Sequence, residues 1–144
     1  MQVAEILRHK GSNVAKIRTI DTVEAAVAKL SEERIGALVV TDRMGGLAGM
    51  ISERDVIHAL ARHGPDALQF EVHELMTPEV TTCAPNDRVD AVMAVMTAHR
   101  IRHLPVMDEG RLIGLVSIGD LVKSRLIEKE QEANVLRDIT RAHI

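Results

Sequence analysis

The sequence predicts an α/β (α+β) protein in which two β-α-β-β-α repeats pack by their sheets with pseudo-twofold symmetry, followed by a long C-terminal helix. One phrase occurs twice, as GMISERD at residues 49–55 and as GLVSIGD at residues 114–120, 65 positions apart. Upstream, apolar residues recur at an offset of 66: Val23 and Val89, Leu30 and Met96, Ile35 and Ile101, Val40 and Val106. A fixed offset indicates an internal repeat. Because each half alone would expose one sheet face, the two sheets are expected to cover each other.

The first half begins with a predicted strand at residues 14–17, which an amphipathic helix follows. Four apolar residues at the i, i+3, i+4 and i+7 spacing indicate this helix: Val23, Ala26, Val27 and Leu30. Asp21 is its expected N-cap, and Glu24 lies three residues on, as in a capping box.

A hairpin and a second helix complete the first half. The apolar runs at residues 37–40 and 47–51 are too short for helices, and a Gly-Gly turn separates them, so they predict a buried hairpin. The helix is expected over residues 53–63, where Gly64 and Pro65 would end it.

The second half repeats this order of elements. We expect a strand at residues 80–83, a helix over Val89, Val92, Met93 and Met96, strands at residues 104–107 and 112–117, and a helix from about Ile118. The tail at residues 121–144 should continue as one long helix with an apolar side.

A linker joins the halves at residues 66–78, and it contains VHELMTP. Its apolar residues Val72, Leu75 and Met76 are expected to plug the core. The predicted division of the chain is a first repeat at residues 1–66, a second repeat at residues 67–125 and a C-terminal helix at residues 126–144.

Composition excludes several classes of partner. With 18 Lys and Arg against 21 Asp and Glu, and Phe70 as the only aromatic residue, the chain has neither a basic footprint nor a base-stacking platform for nucleic acid. Its longest apolar run has six residues, whereas a membrane-spanning helix needs about 20. The lone Cys83 and a start, MQVAEILRHK, without a signal-like apolar region favour the cytoplasm.

The duplicated pattern closely resembles the tandem cystathionine-β-synthase (CBS) domain. The resemblance rests on GMISERD, HRIRHLPVMDEGRLIGLVSIGDLV and VHELMTP, and it extends from about residue 3 to residue 125. It implies a stand-alone CBS pair that binds an adenosine ligand such as AMP, ATP, NAD(H) or S-adenosylmethionine in clefts between the halves. It also implies a homodimer that regulates an unknown target protein and requires no cofactor.

The Ser and Asp of the repeated phrase are the candidate ribose-binding residues, as Ser52 with Asp55 and as Ser117 with Asp120. A carboxylate offers two acceptor oxygens to the vicinal hydroxyls of a ribose, and a serine can donate or accept beside it. The resemblance assigns ribose to this pair. Ser-x-x-Asp at a strand-to-helix junction is also a helix-capping box, and the two interpretations are compatible.

An adenine ring needs an apolar slot in which backbone groups read its edge. The resemblance places that slot before the second strand of each half and in the segment opposite. The candidate residues are Val14, Lys16, Ile35, Gly36, Ala37, Pro78, Val80 and Ile101. Ordinary strand packing is an equally good account of Val14, Ile35 and Val80.

Phosphate binding is expected at Arg54, Arg102 and His103, and the resemblance places the last two at positions that face phosphates. A guanidinium suits bidentate phosphate contact, and Arg54 stands at a helix N-terminus. Arg54 has the alternative of pairing with Glu53 on the surface. Gly119 replaces Arg54 in the second phrase, and in that half Arg102 and His103 are expected to carry the positive charge instead, so the two sites are expected to differ in affinity or ligand. We expect no metal site, because the helix should end between His99 and His103.

Two functions of different classes follow. The first is a regulatory sensor of energy or redox state that binds adenosine nucleotides, has no catalytic residues and acts through its shape or its partners. The alternative is a small nucleotide-hydrolysing enzyme that uses cleft histidines as acid or base. The sequence favours the sensor, because it contains no Walker loop, GxSxG or HExxH motif.

Overall fold

A computed structural model describes residues 1–142 of the 144-residue chain. The helices are α1 (Val3–Lys10), α2 (Val23–Glu33), α3 (Glu53–His63), α4 (Val72–Leu75), α5 (Val89–His99) and α6 (Ile118–Ala142). The strands are β1 (Lys16–Arg18), β2 (Ala37–Thr41), β3 (Leu47–Ser52), β4 (His103–Asp108) and β5 (Arg111–Ser117). A 3-10 segment, Gly64–Gln69, follows α3. The predicted α/β class, with two repeats and a long final helix, is confirmed.

Each repeat contains the predicted antiparallel hairpin. In the first sheet the order is β1-β2-β3, with β1 parallel to β2 and β2 antiparallel to β3, while the second sheet pairs β4 with β5. The register shifts between Val40 and Thr41 in one hairpin and between Val106 and Met107 in the other. These irregularities lie 66 positions apart, so the repeat extends to the detail of the strand pairing.

The predicted strand at residues 80–83 was wrong. Of these residues only Cys83 forms a bridge, which is parallel and joins it to Val106. In the first repeat the equivalent pairing begins where Val39 N–H donates to Ala15 O at 3.1 Å. The counterpart of Val39, 66 positions on, is Pro105, which has no N–H to donate, so the strand cannot form there.

The N-cap of α2 was also predicted wrongly. The cap is Thr22, whose hydroxyl accepts from Ala25 N–H at 3.1 Å. Asp21 instead accepts from the backbone N–H of Arg18 at 3.0 Å and from its guanidinium at 2.8 Å. The guanidinium of Arg18 lowers the pKa of the Asp21 carboxyl, so this carboxylate is committed to the strand end rather than to the helix.

The segments that lead into the two repeats are exchanged between the halves. Helix α1 precedes the first repeat, yet Val3 and Ile6 are buried in the core of the second repeat. Val3 N–H donates to Asp87 O at 3.0 Å, and Val72 N–H donates in the same way at 2.8 Å to the carbonyl of Asp21, the residue 66 positions before Asp87. Helix α4 therefore closes the first core, where Val72 is fully buried and Leu75 and Met76 pack as predicted.

The two glycines of the repeated phrase make room for these exchanged segments. A Cβ on Gly49 would lie 2.5 Å from Thr77 O and 2.9 Å from Met76 Sδ, and a Cβ on Gly114 would lie 2.6 Å from Leu7 Cδ2. Thr77 also exchanges backbone hydrogen bonds with Met50 at 2.8 and 3.0 Å. Gly49 thus lets one lead-in segment cross β3 at backbone distance, and Gly114 makes room for the Leu7 side chain of the other segment.

Helix α6 begins in the core and continues away from it. Leu121 and Ser124 are buried, whereas five apolar side chains farther along are exposed: Leu126, Ile127, Val135, Leu136 and Ile139. The predicted helix at residues 121–144 is confirmed as far as Ala142, and its last two residues lie outside the described part. None of the helices described is both long and apolar enough to cross a membrane.

Replacing Gly49 by Ala tests the close crossing of β3 by the exchanged segment. The new methyl group meets a backbone carbonyl, which cannot rotate away, so we expect the free energy of unfolding to fall by about 1–3 kcal/mol. Gly119→Ala is the matched control, because its nearest contact would be Ser117 Oγ at 3.6 Å and alanine favours helix. Urea unfolding measures both variants, and equal stabilities would contradict the crossing.

Candidate functional site

The first repeated phrase ends strand β3 and begins helix α3, with Ser52 as the N-cap. The backbone N–H and the hydroxyl of Ser52 donate to Asp55 Oδ2 at 2.8 and 3.0 Å, and Asp55 N–H donates to Ser52 Oγ at 3.3 Å. The predicted capping box is therefore present. Within residues 1–142 these bonds use only Oδ2, which leaves Asp55 Oδ1 able to accept from a ligand.

The second phrase repeats two of these three bonds, with Oδ2 again the carboxylate oxygen that accepts, and has one further partner. Ser117 N–H donates to Asp120 Oδ2 at 2.8 Å, and Asp120 N–H donates to Ser117 Oγ at 3.1 Å. Lys10 Nζ donates to the same Oδ2 at 2.7 Å and to Leu115 O at 2.8 Å. Burial opposes ionisation of Asp120, but the hydrogen bonds from Lys10 and Ser117 prevail and lower its pKa.

A cleft of about 350 Å³ opens beside Ser52 and Asp55. Its lining combines the first repeat with the segment that follows it and with the second repeat: Gly36, Ala37, Met50, Ser52, Glu53, Arg54, Asp55, Thr77, Glu79, Val80, Thr81, Arg100, Ile101, Arg102 and His103. This volume falls within the range of sites for small ligands. We call it the first cleft.

A second cleft, of about 640 Å³, lies beside Ser117. It is lined by Lys10, Asn13, Val14, Ala15, Glu33, Arg34, Ile35, Gly36, Ala37, His103, Leu115 and Ser117. Gly36, Ala37 and His103 border both clefts, so they form the wall between them. The candidate adenine-pocket residues Lys16 and Pro78 are exposed and line neither cleft, and the candidate ribose-binding residue Asp120 lines neither as well.

The candidate phosphate-binding residues converge on the first cleft. Arg54 and Arg102 both line it, although the sequence pattern assigned them to different sites. Arg100 joins them, and it was not among the phosphate-binding residues expected from the sequence. The signal that could have found it is its counterpart Arg34, 66 positions earlier, because both residues end a helix in the left-handed conformation.

His103 lies at the junction of the two clefts. A Cβ on Gly36 would be 3.6 Å from both His103 Cε1 and Glu53 Oε1, so these two side chains approach each other over the glycine. Burial, and then the charge of Lys10, lower the pKa of His103 below its ordinary value of 6.5, against the opposing effect of Asp120. At neutral pH His103 is therefore a neutral donor and acceptor, and the fixed positive charges of the first cleft are its arginines.

Two clefts related by an internal repeat, each lined from both halves, make this a paired module with two candidate ligand sites. The chain belongs to the CBS domain family, whose sequence profile matches residues 3–62 and residues 72–126. The two matches confirm the resemblance seen in the sequence. Pairs of CBS domains are regulatory modules.

Relatives of known structure or name agree with this assignment. A CBS-domain containing protein from Agrobacterium tumefaciens is 40% identical, with a TM-score of 0.83 over 86% of this chain and 92% of that one. The mitochondrial CBS domain-containing protein CBSX3 of Arabidopsis thaliana is 34% identical over 90% of this chain and 67% of its own length.

One similar structure was solved with ligands. The CBS domain pair of the protein MJ0100, in complex with 5′-methylthioadenosine and S-adenosyl-L-methionine, is 27% identical to this chain. Its TM-score is 0.76, and the match covers 90% of this chain and 98% of that one.

Proposed function

We propose that this chain is a regulatory module whose first cleft binds an adenosine nucleotide, namely AMP, ATP or NAD(H). Occupancy of the cleft alters the shape of the module or its binding to a target protein, and so signals energy or redox state. The observation that carries the proposal is the Asp55 carboxylate, whose Oδ1 has no protein donor within residues 1–142, in a cleft that also holds three arginines.

The chemistry of the first cleft matches the three parts of a nucleotide. Ribose hydroxyls would donate to Asp55, which Ser52 already orients through two hydrogen bonds. The arginines, of which Arg54 also lies at the N-terminus of α3, suit phosphate oxygens. Val80 and Ile101 supply apolar walls for the adenine.

The ligands of the related MJ0100 pair support the adenosine part of the proposal. Both 5′-methylthioadenosine and S-adenosyl-L-methionine contain adenine joined to a ribose. Neither contains a phosphate, so the phosphate part rests on the arginines of this chain alone. We infer AMP, ATP or NAD(H) for that reason.

We favour a sensor over the alternative of a nucleotide-hydrolysing enzyme. His103 is the only histidine among the residues that line the first cleft, and it lies in the wall that the two clefts share. A sensor of this kind needs no catalytic residue and no cofactor besides its nucleotide. Its expected location remains the cytoplasm, where nucleotide concentrations follow metabolism.

Adenine nucleotides should stabilise the fold, because a ligand that binds only the native state adds about 2.7 kcal/mol at a hundredfold excess over Kd. We expect clear melting-temperature shifts with AMP, ATP or NADH and much smaller shifts with GTP.

Asp55→Ala should weaken nucleotide binding by about 10- to 150-fold, which corresponds to the loss of a hydrogen bond to a charged group. Asp90→Ala, at an exposed aspartate in the first turn of α5, is the matched control.

Equal shifts with adenine and guanine nucleotides would contradict the adenosine specificity. Chromatography of the same incubations separates sensor from enzyme, since the sensor leaves ATP and NADH unchanged. Release of product at a rate that depends on His103 would favour the hydrolase instead.

We propose further that the module is a homodimer. Ile57 on α3 and Val122 on α6 occupy equivalent positions of the two repeats, and both are exposed, at 62% and 41%. Leu126, one turn farther along α6, is 66% exposed. A second copy of this chain is the fitting occupant, because a twofold axis pairs like surfaces and the repeat already supplies equivalent apolar faces.

Sedimentation at micromolar concentration should give twice the 15.8 kDa mass of the chain. The double variant Ile57→Lys, Val122→Lys should sediment as a monomer, because charges would be buried without partners. Met44→Lys is the control, since Met44 is a 93% exposed apolar residue at a hairpin tip. A wild-type monomer, or a dimer that the double variant leaves intact, would refute this interface.

A further inference from the structure

The two segments that lead into the repeats differ in length. From Val3 to Ile17 the chain takes 14 positions, whereas from Val72 to Cys83, the equivalent residues, it takes 11. The additional residues extend α1 to eight residues, against four in α4. Lys10 is the last residue of this extension, so the second cleft receives a lysine that has no counterpart in the first.

Lys10 lines the second cleft and pairs with the carboxylate of Asp120, which lies beside that cleft without lining it. Its ammonium donates to Asp120 Oδ2 at 2.7 Å and to Leu115 O at 2.8 Å, which uses two of its three N–H groups. Both side chains are partly shielded, with exposures of 37% for Lys10 and 25% for Asp120. Asp55, the counterpart of Asp120, has no cationic partner within residues 1–142.

We propose that Lys10 is a specificity-determining residue that withdraws Asp120 from ribose binding, so that the adenosine ligand occupies the first cleft alone. This inference rests on the proposed function of the first cleft. A ribose approaching Asp120 would meet a carboxylate whose charge is offset by the Lys10 ammonium and whose Oδ2 already accepts from Lys10 and Ser117, so Asp120 is a weaker acceptor than Asp55. Hydrogen bonds to charged groups contribute enough free energy that a weaker bond to the ribose lowers the affinity of this site by about tenfold or more.

The test counts nucleotide sites by titration calorimetry, using whichever of AMP, ATP and NADH gives the largest melting shift. Wild-type protein should bind one equivalent, and Lys10→Ala should bind two. Lys10→Met keeps the stem of the side chain but removes its charge, and it should also bind two. Arg8→Ala removes a charge from the same helix turn without touching Asp120, and it should bind one.

Double variants identify the site that is gained. Asp55→Ala alone should lose most binding, whereas Asp55→Ala with Lys10→Ala should regain it through the second cleft. Adding Asp120→Ala to that pair should remove binding again. The double variant Asp55→Ala with Arg8→Ala should still bind the nucleotide weakly. This control separates a general effect of charge on affinity from the loss of the Lys10 contact.

The outcomes separate this inference from the function on which it rests. Binding that requires Asp55 but stays at one equivalent in both Lys10 variants overturns the role of Lys10 and leaves the proposed function standing. Two equal sites in the wild-type protein overturn the role of Lys10 as well. If none of the three nucleotides binds the wild-type chain, both proposals are overturned.

Discussion

The exchange of the two lead-in segments is the constraint on which the rest of this structure depends. Val3 of α1 and Val72 of α4 are fully buried, each in the core of the opposite half from the one its sequence position suggests. Removing either would leave a repeat with an open apolar core. The same crossing carries Thr77 and Val80 to the first cleft and Lys10 and Val14 to the second, so neither cleft belongs to one repeat.

Features that depend on local spacing could be predicted from the sequence. The 66-residue offset and the apolar spacing located both hairpins and the helices α2 and α5, and the repeated phrase, with its offset of 65, located the two Ser-Asp capping pairs. The absence of a strand at residues 80–83 could not be predicted from those residues, because its cause is Pro105 in the neighbouring strand β4. The contact between Lys10 and Asp120 was also beyond sequence reasoning, since it joins residues 110 positions apart.

The positions and charge states of the ionisable residues in the site could also be predicted only in part from the sequence. Spacing alone paired Arg102 with the Ser and Asp of its own repeat, but the fold carries it to the first cleft beside Arg54. His103 was expected to act as a cation, yet burial and the neighbouring Lys10 keep it neutral at ordinary pH. The two clefts therefore differ more than their sequences suggest: one combines arginines with a carboxylate that has no cationic partner within residues 1–142, and beside the other Lys10 pairs with Asp120.

The most direct test of this account is a crystal structure of the wild-type protein grown with an adenine nucleotide. The account predicts one nucleotide per chain, in the first cleft, with its ribose hydroxyls within hydrogen-bond distance of Asp55 and its phosphates beside Arg54 or Arg102. The Lys10 to Asp120 ion pair should be intact in the same crystal. A nucleotide whose ribose contacts Asp120 while Asp55 remains without a ligand would contradict it.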